Sequence, residues 1–402
     1  METKLITNEL STAAEIIKSG GLVAVPTETV YGLAGNGMDE SAVQKIYDVK
    51  GRPAIKPLSL MVPDKSAMDR YCVDVPAQAR HLADKFWPGP LTIILKSKPE
   101  VPEIVRAGGT TIGLRCPDHP LTLEALKLAD VPFAAPSANP SGEESPKNAG
   151  RVMEYFDGKI DAVIDGGACG LGRESTIIDM SVEPYKILRQ GALAADEISD
   201  ALVDGMQIVG ITGGTGSGKT TALDVLRSFG ALVIDCDALY HELLDGCTEM
   251  IADISRFFPG AVVDGKIDRK ALGAVVFSDA DALRDLNIIT HRYINIELQR
   301  RLREWAMQGG KLAAIDAIEL FSSNASSRCT TTVGVIADSE VRMKRIMARD
   351  GITAEYALMR IHAQRPDQYF VEHCDYILKN NGTKEDFYDC CLNLFTEVLT
   401  NE

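Results

Sequence analysis

Apolar residues at Leu10, Ala13, Ala14 and Ile17 share one face of a 3.6-residue period, and the pattern stops at Lys18 and Gly20-Gly21, which predicts a helix with a glycine stop. The unbroken run Leu22-Val23-Ala24-Val25 then reads as a buried strand running into a proline loop. Strand-like apolar runs recur at Leu91 to Leu95, Ile112 to Leu114, Val131 to Ala135, Ala162 to Ile164 and Thr176 to Ile178, with helical patterns between several of them. This half of the chain is predicted to be α/β. A second series at Gln207 to Ile211, Ala231 to Ile234, Leu312 to Ile315, Thr332 to Ile336 and Tyr376 to Leu378 alternates with helices, the rhythm of a doubly wound parallel sheet.

Between the two series lies the short polar-apolar stretch Ala192 to Asp200, and the new strand begins at Gln207. The boundary is predicted near Asp204, giving domains 1–203 and 204–402. At 402 residues the chain exceeds the size at which one core stops growing, so two domains also follow from length. No internal repeat or low-complexity tract interrupts them.

Composition is that of an ordinary globular protein, and no apolar stretch approaches the 18 or so residues of a membrane span. The start, Met-Glu-Thr-Lys, lacks a basic flank before an apolar core, so no secretory signal is read and the cytoplasm is the expected compartment. Nine scattered cysteines without zinc spacing read as reduced thiols. A net charge of −15 argues against an extended nucleic-acid footprint, and no DNA binding is expected, although Lys50-Gly51-Arg52-Pro53-Ala54-Ile55-Lys56 concentrates three cations in one loop.

That loop belongs to a set. Pro26 to Leu33 leaves a strand end carrying Thr27, Glu28, Thr29 and Tyr31; Trp87-Pro88-Gly89-Pro90-Leu91-Thr92 is a stiff turn in which Trp87 reads as a core anchor; and Pro136 to Gly142 presents Ser137, Asn139 and Ser141 together. Cations held in a proline-braced loop suit fixed anions such as nucleotide phosphates. The pieces PTETVYGL, KGRPAIKPL, FWPGPLT, GLRCPDH, APSANPSG, Ser175-Thr176 and Leu188 to Gly191, in this order over residues 4 to 200, resemble the YrdC-like threonylcarbamoyl-AMP synthases.

The resemblance implies a twisted open sheet with helices, and condensation of L-threonine, bicarbonate and ATP to threonylcarbamoyl-adenylate with release of pyrophosphate. It implies that Thr29, Arg115 and Ser175 hold threonine, and that Lys50, Arg52, Lys56, Thr111, Ser137, Asn139, Ser145 and Arg189 hold ATP and the small anion, Lys50 and Arg52 acting in catalysis. The product would pass to the machinery that modifies tRNA. His119 shows no partner in the sequence and is read as structural.

In the second half, Gly213-Gly214-Thr215-Gly216-Ser217-Gly218-Lys219-Thr220 completes a G-x-x-x-x-G-K-T phosphate loop between a predicted strand and the helix opening at Thr221. Its N–H groups would cradle phosphates, Lys219 would reach the β and γ groups, and Thr220 would ligate Mg²⁺. Asp235 and Asp237 follow the next strand. Asp237 could cap the helix behind it, or accept a hydroxyl proton near the metal; the catalytic role is favoured.

VGITGGTGSGKTT, ALVIDCDALYHELL, IDRKALGAVVFSD, ALRDLNIITH, VIADSEVRMKRIMARDGIT, RIHAQ and DYILKNNGT resemble dephospho-CoA kinase from Ile208 to about Thr383. That implies ATP-dependent phosphorylation of the ribose 3′-hydroxyl of dephospho-CoA under a helical lid. Arg342, Arg345 and Arg349 lie on its arginine stripe, with Arg345 and Arg349 reaching ATP beside Gly214, Thr215, Gly216, Ser217, Gly218, Lys219, Thr220 and Thr221. The chain departs from the pattern at Ala317-Ile318-Glu319-Leu320-Phe321, at His291-Arg292, and at Phe370, which stands near the adenine-side loop in place of a common lysine. Rival readings are an RNA-binding module for the first half, and a kinase for another acceptor, or a nucleotide sensor, for the second.

Overall fold

A computed structural model describes residues 2–400. It divides into two compact units, one running to Gly205 and the other from Met206 onward, with residues 307–309 grouped with the first. No described helix is long and apolar enough to cross a membrane.

The first unit carries ten strands: β1 (Lys4–Ile6), β2 (Val23–Val25), β3 (Gly32–Asn36), β4 (Ser59–Met61), β5 (Leu91–Lys96), β6 (Thr111–Arg115), β7 (Phe133–Ala134), β8 (Ala162–Ile164), β9 (Thr176–Asp179) and β10 (Lys186–Arg189). They form one mixed sheet in the order β1-β8-β2-β3-β7-β4-β6-β5-β9-β10. The helix Leu10–Lys18 buries Leu10, Ala13, Ala14 and Ile17, the four positions of its apolar stripe, against β2 and β8 residues such as Val23, Val25 and Ile164. Strand ends matter more than strand lengths here. The carboxyl end of β6 delivers Arg115, and β9 opens directly behind Ser175.

The second unit is a five-stranded, all-parallel sheet of β11 (Gln207–Thr212), β12 (Leu232–Asp235), β15 (Leu312–Asp316), β16 (Thr331–Ile336) and β17 (Tyr376–Lys379), ordered β12-β15-β11-β16-β17. A small hairpin, β13 (Val262–Val263) with β14 (Lys266–Ile267), stands apart. Chain order reverses beside β11, and ligands of such sheets bind at the carboxyl ends of the strands at that switch point. Val209, Ile211, Val333 and Val335 pack there with Leu223, Leu226, Phe387 and Phe395. Helices 339–350, 354–362 and 367–373 follow β16 in the predicted lid region.

Candidate active sites

In the first unit the Pro26 loop is set by its own hydroxyls. Thr27 Oγ1 donates to the Val30 carbonyl at 2.6 Å and accepts the amides of Thr29 and Val30, so the turn is rigid before any ligand arrives. Thr29 Oγ1 then accepts from Arg115 Nη2 at 2.8 Å. Arg115 is buried, not a surface charge: Nη2 also reaches Glu28 Oε1 at 2.7 Å and Nε donates to the Gly89 carbonyl at 3.3 Å. Glu28 Oε2 accepts the Asp118 amide at 3.0 Å, which fixes the carboxylate that fixes the arginine.

Across the site, Ser175 Oγ and Thr92 Oγ1 lie 2.9 Å apart, and Arg189 reaches Ser175 through Nη2 at 3.1 Å and its carbonyl through Nε at 3.0 Å. Arg189 also pairs with Glu174, whose Oε1 accepts from Ser145 Oγ at 3.0 Å. A Cβ on Gly191 would sit 2.3 Å from the Glu174 carbonyl oxygen, so only glycine allows this close approach of the two loops. Arg52 closes its own loop by donating to the carbonyls of Lys56 and Pro57.

These groups surround a cavity of about 200 Å³. Of the predicted residues, Arg52, Arg115, Ser137, Ser175 and Arg189 line it, and Thr29 touches it through Arg115. Lys50 lies behind the wall: it is buried, its ammonium is bound by the carbonyls of Ser137 and Asn139, and its pKa is pushed down to about 7 by burial and then by Arg52, against the pull of Glu174. Asn139 is likewise buried, its amide donating to Pro140 and Glu143 carbonyls, and Ser145 acts through Glu174.

Two further predicted residues stand outside the cavity lining. Lys56 is exposed and outside the cavity lining, and its backbone carbonyl accepts from Arg52 Nε at 3.2 Å. Thr111 starts β6 opposite Lys96, whereas Arg115 ends it, roughly 13 Å away at the rise of an extended strand. Sequence reasoning missed Thr92, Glu174 and the clamp role of Glu28. The signal for Glu174 was its place immediately before Ser175. Trp87 is half-buried, donates from Nε1 to the Leu91 carbonyl at 2.8 Å, and holds the turn outside the cavity.

In the second unit the phosphate loop joins β11 to the helix Lys219–Ser228. Gly213 takes φ 142°, and a Cβ there would stand 2.1 Å from the Val335 carbonyl oxygen, so the loop can turn only with glycine at this point. Gly214 to Thr220 line a cleft of about 590 Å³ with Asp237, Asp316, Arg345, Arg349, Arg360 and Gln364. Thr221 sits outside that lining, its amide bonded back to the Gly218 carbonyl.

Lys219 Nζ donates to the Gly213 carbonyl at 3.1 Å and stands 4.0 Å from Asp316 Oδ1. That oxygen is buried without a hydrogen-bond partner. Burial, opposed by Lys219 and assisted by Asp235 and Asp237, raises the Asp316 carboxyl to about 6. Asp316 closes the apolar strand Leu312–Asp316, a position the sequence displayed and the reading stopped one residue short of.

Asp237 is not the helix cap. Asp235 takes that place, accepting the amides of Asp237 and Ala238, each at 2.9 Å, which leaves the Asp237 carboxylate free in the first turn. Burial and then Asp235 raise the Asp237 pKa, while Lys219 and His241 oppose. The arginine stripe is divided in the same way. Arg342 is buried outside the cleft lining, where Nε donates to the Thr215 carbonyl at 3.0 Å and Nη1 to Asp367 at 3.2 Å. Arg345 is braced on Asn380 at 3.0 and 3.1 Å, and Arg349 pairs with Asp350. Gln364 Oε1 accepts the Thr215 amide at 2.7 Å.

A second, largely apolar cavity of about 350 Å³ adjoins the cleft and shares Asp237 and Ile318 with it. Tyr240, Arg269, Leu286 and His291 line it, with Glu319. Of the departures, Ile318, Glu319 and His291 therefore face it. Phe370 does not: it is fully buried, edge-on to Tyr369 at 5.7 Å and packed by Gly334, so the missing lysine is a core substitution and not an adenine contact.

Fold and clefts define a chain with two separate cation-lined α/β clefts, the second built on a phosphate loop of the kinase type. Residues 15–191 match a family model named for Sua5, YciO and YrdC and described as "Telomere recombination", and residues 207–386 match the dephospho-CoA kinase model. The first half is 44% identical over 190 residues to a threonylcarbamoyl-AMP synthase of Pyrococcus abyssi, covering 47% of this chain and 56% of that protein. It is 40% identical to a Methanocaldococcus jannaschii protein provisionally assigned the same activity, over 46% of this chain and 86% of that one. The second half is 37% identical to a dephospho-CoA kinase of Geobacter sulfurreducens, over 45% of this chain and 93% of the relative. The chain spans 53% to 58% of the length of the longer synthases it matches. It belongs to both families, one in each half.

Proposed function

We propose that the chain is bifunctional. Its first half joins L-threonine, bicarbonate and ATP into threonylcarbamoyl-adenylate and pyrophosphate, for tRNA modification downstream. Its second half transfers the ATP γ-phosphoryl group to the 3′-hydroxyl of dephospho-CoA. Both reactions would run in the cytoplasm, where nine unpaired cysteines stay reduced.

For the first reaction, the supporting observation is one cavity that sets Arg115, braced by Thr29, across from Arg52 and Arg189. Arg115 would take the threonine carboxylate while Arg52 and Arg189 neutralise charge on the phosphates, so catalysis is positioning plus electrostatics. Lys50 contributes from behind by holding the Ser137 and Asn139 backbone.

For the second, the supporting observation is that Asp237 lines both the phosphate cleft and the apolar cavity, so one carboxylate would face both donor and acceptor. A raised pKa makes it a better proton acceptor for an attacking hydroxyl. The metal fits the donors present: Thr220 and the orphaned Asp316 oxygen would hold Mg²⁺, which when bound would neutralise the phosphates. Arg345 and Arg349 line the same cleft and would meet those phosphates.

The test is mass spectrometry of products formed by the purified chain with ATP, Mg²⁺, bicarbonate, threonine and dephospho-CoA. Threonylcarbamoyl-adenylate and coenzyme A are both expected. Salt-dependent tRNA capture with no adenylate would instead establish the RNA-binding reading, and preference for another hydroxyl acceptor would redirect attention to Ile318 and Glu319.

A further inference from the structure

A cavity that gathers Arg52, Arg115 and Arg189 for anionic partners also contains one carboxylate, Glu174. An acid at such a place repels phosphate and bicarbonate unless its charge is used. Glu174 is half-exposed to the cavity, receives the Ser145 hydroxyl on Oε1 at 3.0 Å and pairs with Arg189 through the other oxygen. Its charge also acts on the nearby cations Lys50 and Arg52. Its chain neighbour Ser175 faces the same cavity, where Arg115 is placed to receive an amino-acid carboxylate.

With Arg115 placed for the carboxylate, Glu174 is the lining anion placed for the amino group. Threonine enters as the ammonium form, which has no lone pair and cannot attack carbon. Resting on the synthase reading above, we propose that Glu174 is the general base that deprotonates the threonine ammonium. One N–H proton passes to the Glu174 carboxylate, leaving R-NH₂. The nitrogen lone pair attacks the bicarbonate carbon, the C–OH bond breaks, and the departing hydroxide leaves as water with the second amine proton. The products are the carbamate R-NH-COO⁻, one water and protonated Glu174, which returns its proton to solvent. Arg189, assigned to ATP, exchanges Glu174 for a phosphate oxygen, so nucleotide binding frees the base.

The test compares the parent chain with Glu174→Gln and Glu174→Asp. The amide oxygen still accepts from Arg189 while its NH2 donates to the Ser145 hydroxyl, and so it keeps the wall of the cavity, but it takes no proton near neutrality. Adenylate synthesis by Glu174→Gln is expected to fall by about 10²–10⁴-fold at neutral pH. The deficit should narrow about tenfold per pH unit as the free amine becomes more abundant in solution. Lys50 titrates in the same range, so a second arm supplies threonine carbamate preformed in concentrated alkaline bicarbonate and measures a single turnover. Glu174→Gln should then match the parent, and Glu174→Asp should keep the parent's pH profile at a lower rate.

A deficit that is independent of pH and unrelieved by preformed carbamate overturns the proposal and reduces Glu174 to a holder of Arg189. A deficit restored by raised Mg²⁺ overturns it in favour of a metal ligand. A parent chain that makes no adenylate overturns both the synthase reading and this inference.

Discussion

The two anion sites are made of different materials. In the second unit the phosphate loop is backbone: consecutive residues from Gly214 to Thr220 line the cleft, and the geometry depends on the preceding Gly213, where a Cβ would meet the Val335 carbonyl. In the first unit the site is side chains brought from loops far apart in sequence, with Arg115 and Arg189 each held by a carboxylate, Glu28 and Glu174. A backbone cradle is complete once one turn forms. A side-chain cradle exists only when the whole sheet has closed, and its charges need counter-charges until ligand arrives.

The largest effect expected from this contrast is at Lys219, the one cation the backbone cradle carries at its centre. Lys219→Ala should lower coenzyme A formation by about 10³-fold or more, on the order of 4 kcal/mol of transition-state stabilisation. Asp237→Asn should lower it comparably while ATP still binds. Both products, measured from one preparation, should separate cleanly, with adenylate synthesis unchanged. Parallel loss of both would break the picture of two independent sites.

A smaller loss is expected at Arg115, where Nη2 serves Glu28 and Thr29 while Nε serves Gly89. Arg115→Lys keeps the charge and loses the fork. Threonine-dependent kcat/KM should drop by about 10²-fold, roughly 2–3 kcal/mol, chiefly through KM, with coenzyme A formation untouched. An unchanged KM for threonine would remove Arg115 from the carboxylate site.

The same contrast explains what could be read from the chain. The helix Leu10–Lys18, the central strands of both units and the phosphate loop are local patterns, and the structure shows them where periodicity and glycine placement put them. The counter-charges are not local. Nothing near Glu28 in sequence announces Arg115, and nothing near Arg342 announces Thr215 and Asp367, so a stripe of arginines was grouped that the fold divides between interior clamp and cleft wall. Thr111 and Arg115 stand at opposite ends of one strand, so the resemblance that names both does not say which of them reaches the cavity; the fold places Arg115 there. Phe370 reads as a departure at a binding loop because its burial comes from Tyr369 and Gly334, contacts that exist only after folding.

The cleft of the second unit has an acid limit built into it. Asp316 is raised to about 6, so its carboxylate is charged above that pH and neutral below it. Metal-nucleotide binding that uses this oxygen should weaken about tenfold per unit, about 1.4 kcal/mol, as pH falls through 6. The linkage for stability has the opposite sense. A carboxyl whose folded pKa lies above its unfolded value costs stability as pH rises from about 4 towards 6, so Asp316→Asn should melt higher than the parent at neutral pH while losing transfer. Calorimetry without nucleotide, set beside metal-nucleotide titrations across that range, reads both effects. A variant that melts lower would mean that the 4.0 Å approach of Lys219 outweighs the desolvation of Asp316.

The smallest expected change separates the two neighbouring acids. Asp235 accepts the amides of Asp237 and Ala238 and so supplies the helix cap, whereas Asp237 faces the cleft. Asparagine caps about as well as aspartate, so Asp235→Asn should shift unfolding by only a few tenths of a kcal/mol, against about 1 kcal/mol for Asp235→Ala. Asp235→Asn should also keep phosphoryl transfer, where Asp237→Asn should lower it by about 10³-fold. One difference should remain. The Asp235 charge helps to raise both Asp237 and Asp316, so its removal lowers both, and the acid limb of coenzyme A formation should move to lower pH. A pH–rate profile of Asp235→Asn that superimposes on the parent would show that the cleft is insulated from its own cap, leaving burial and Lys219 to set the titration of its carboxylates.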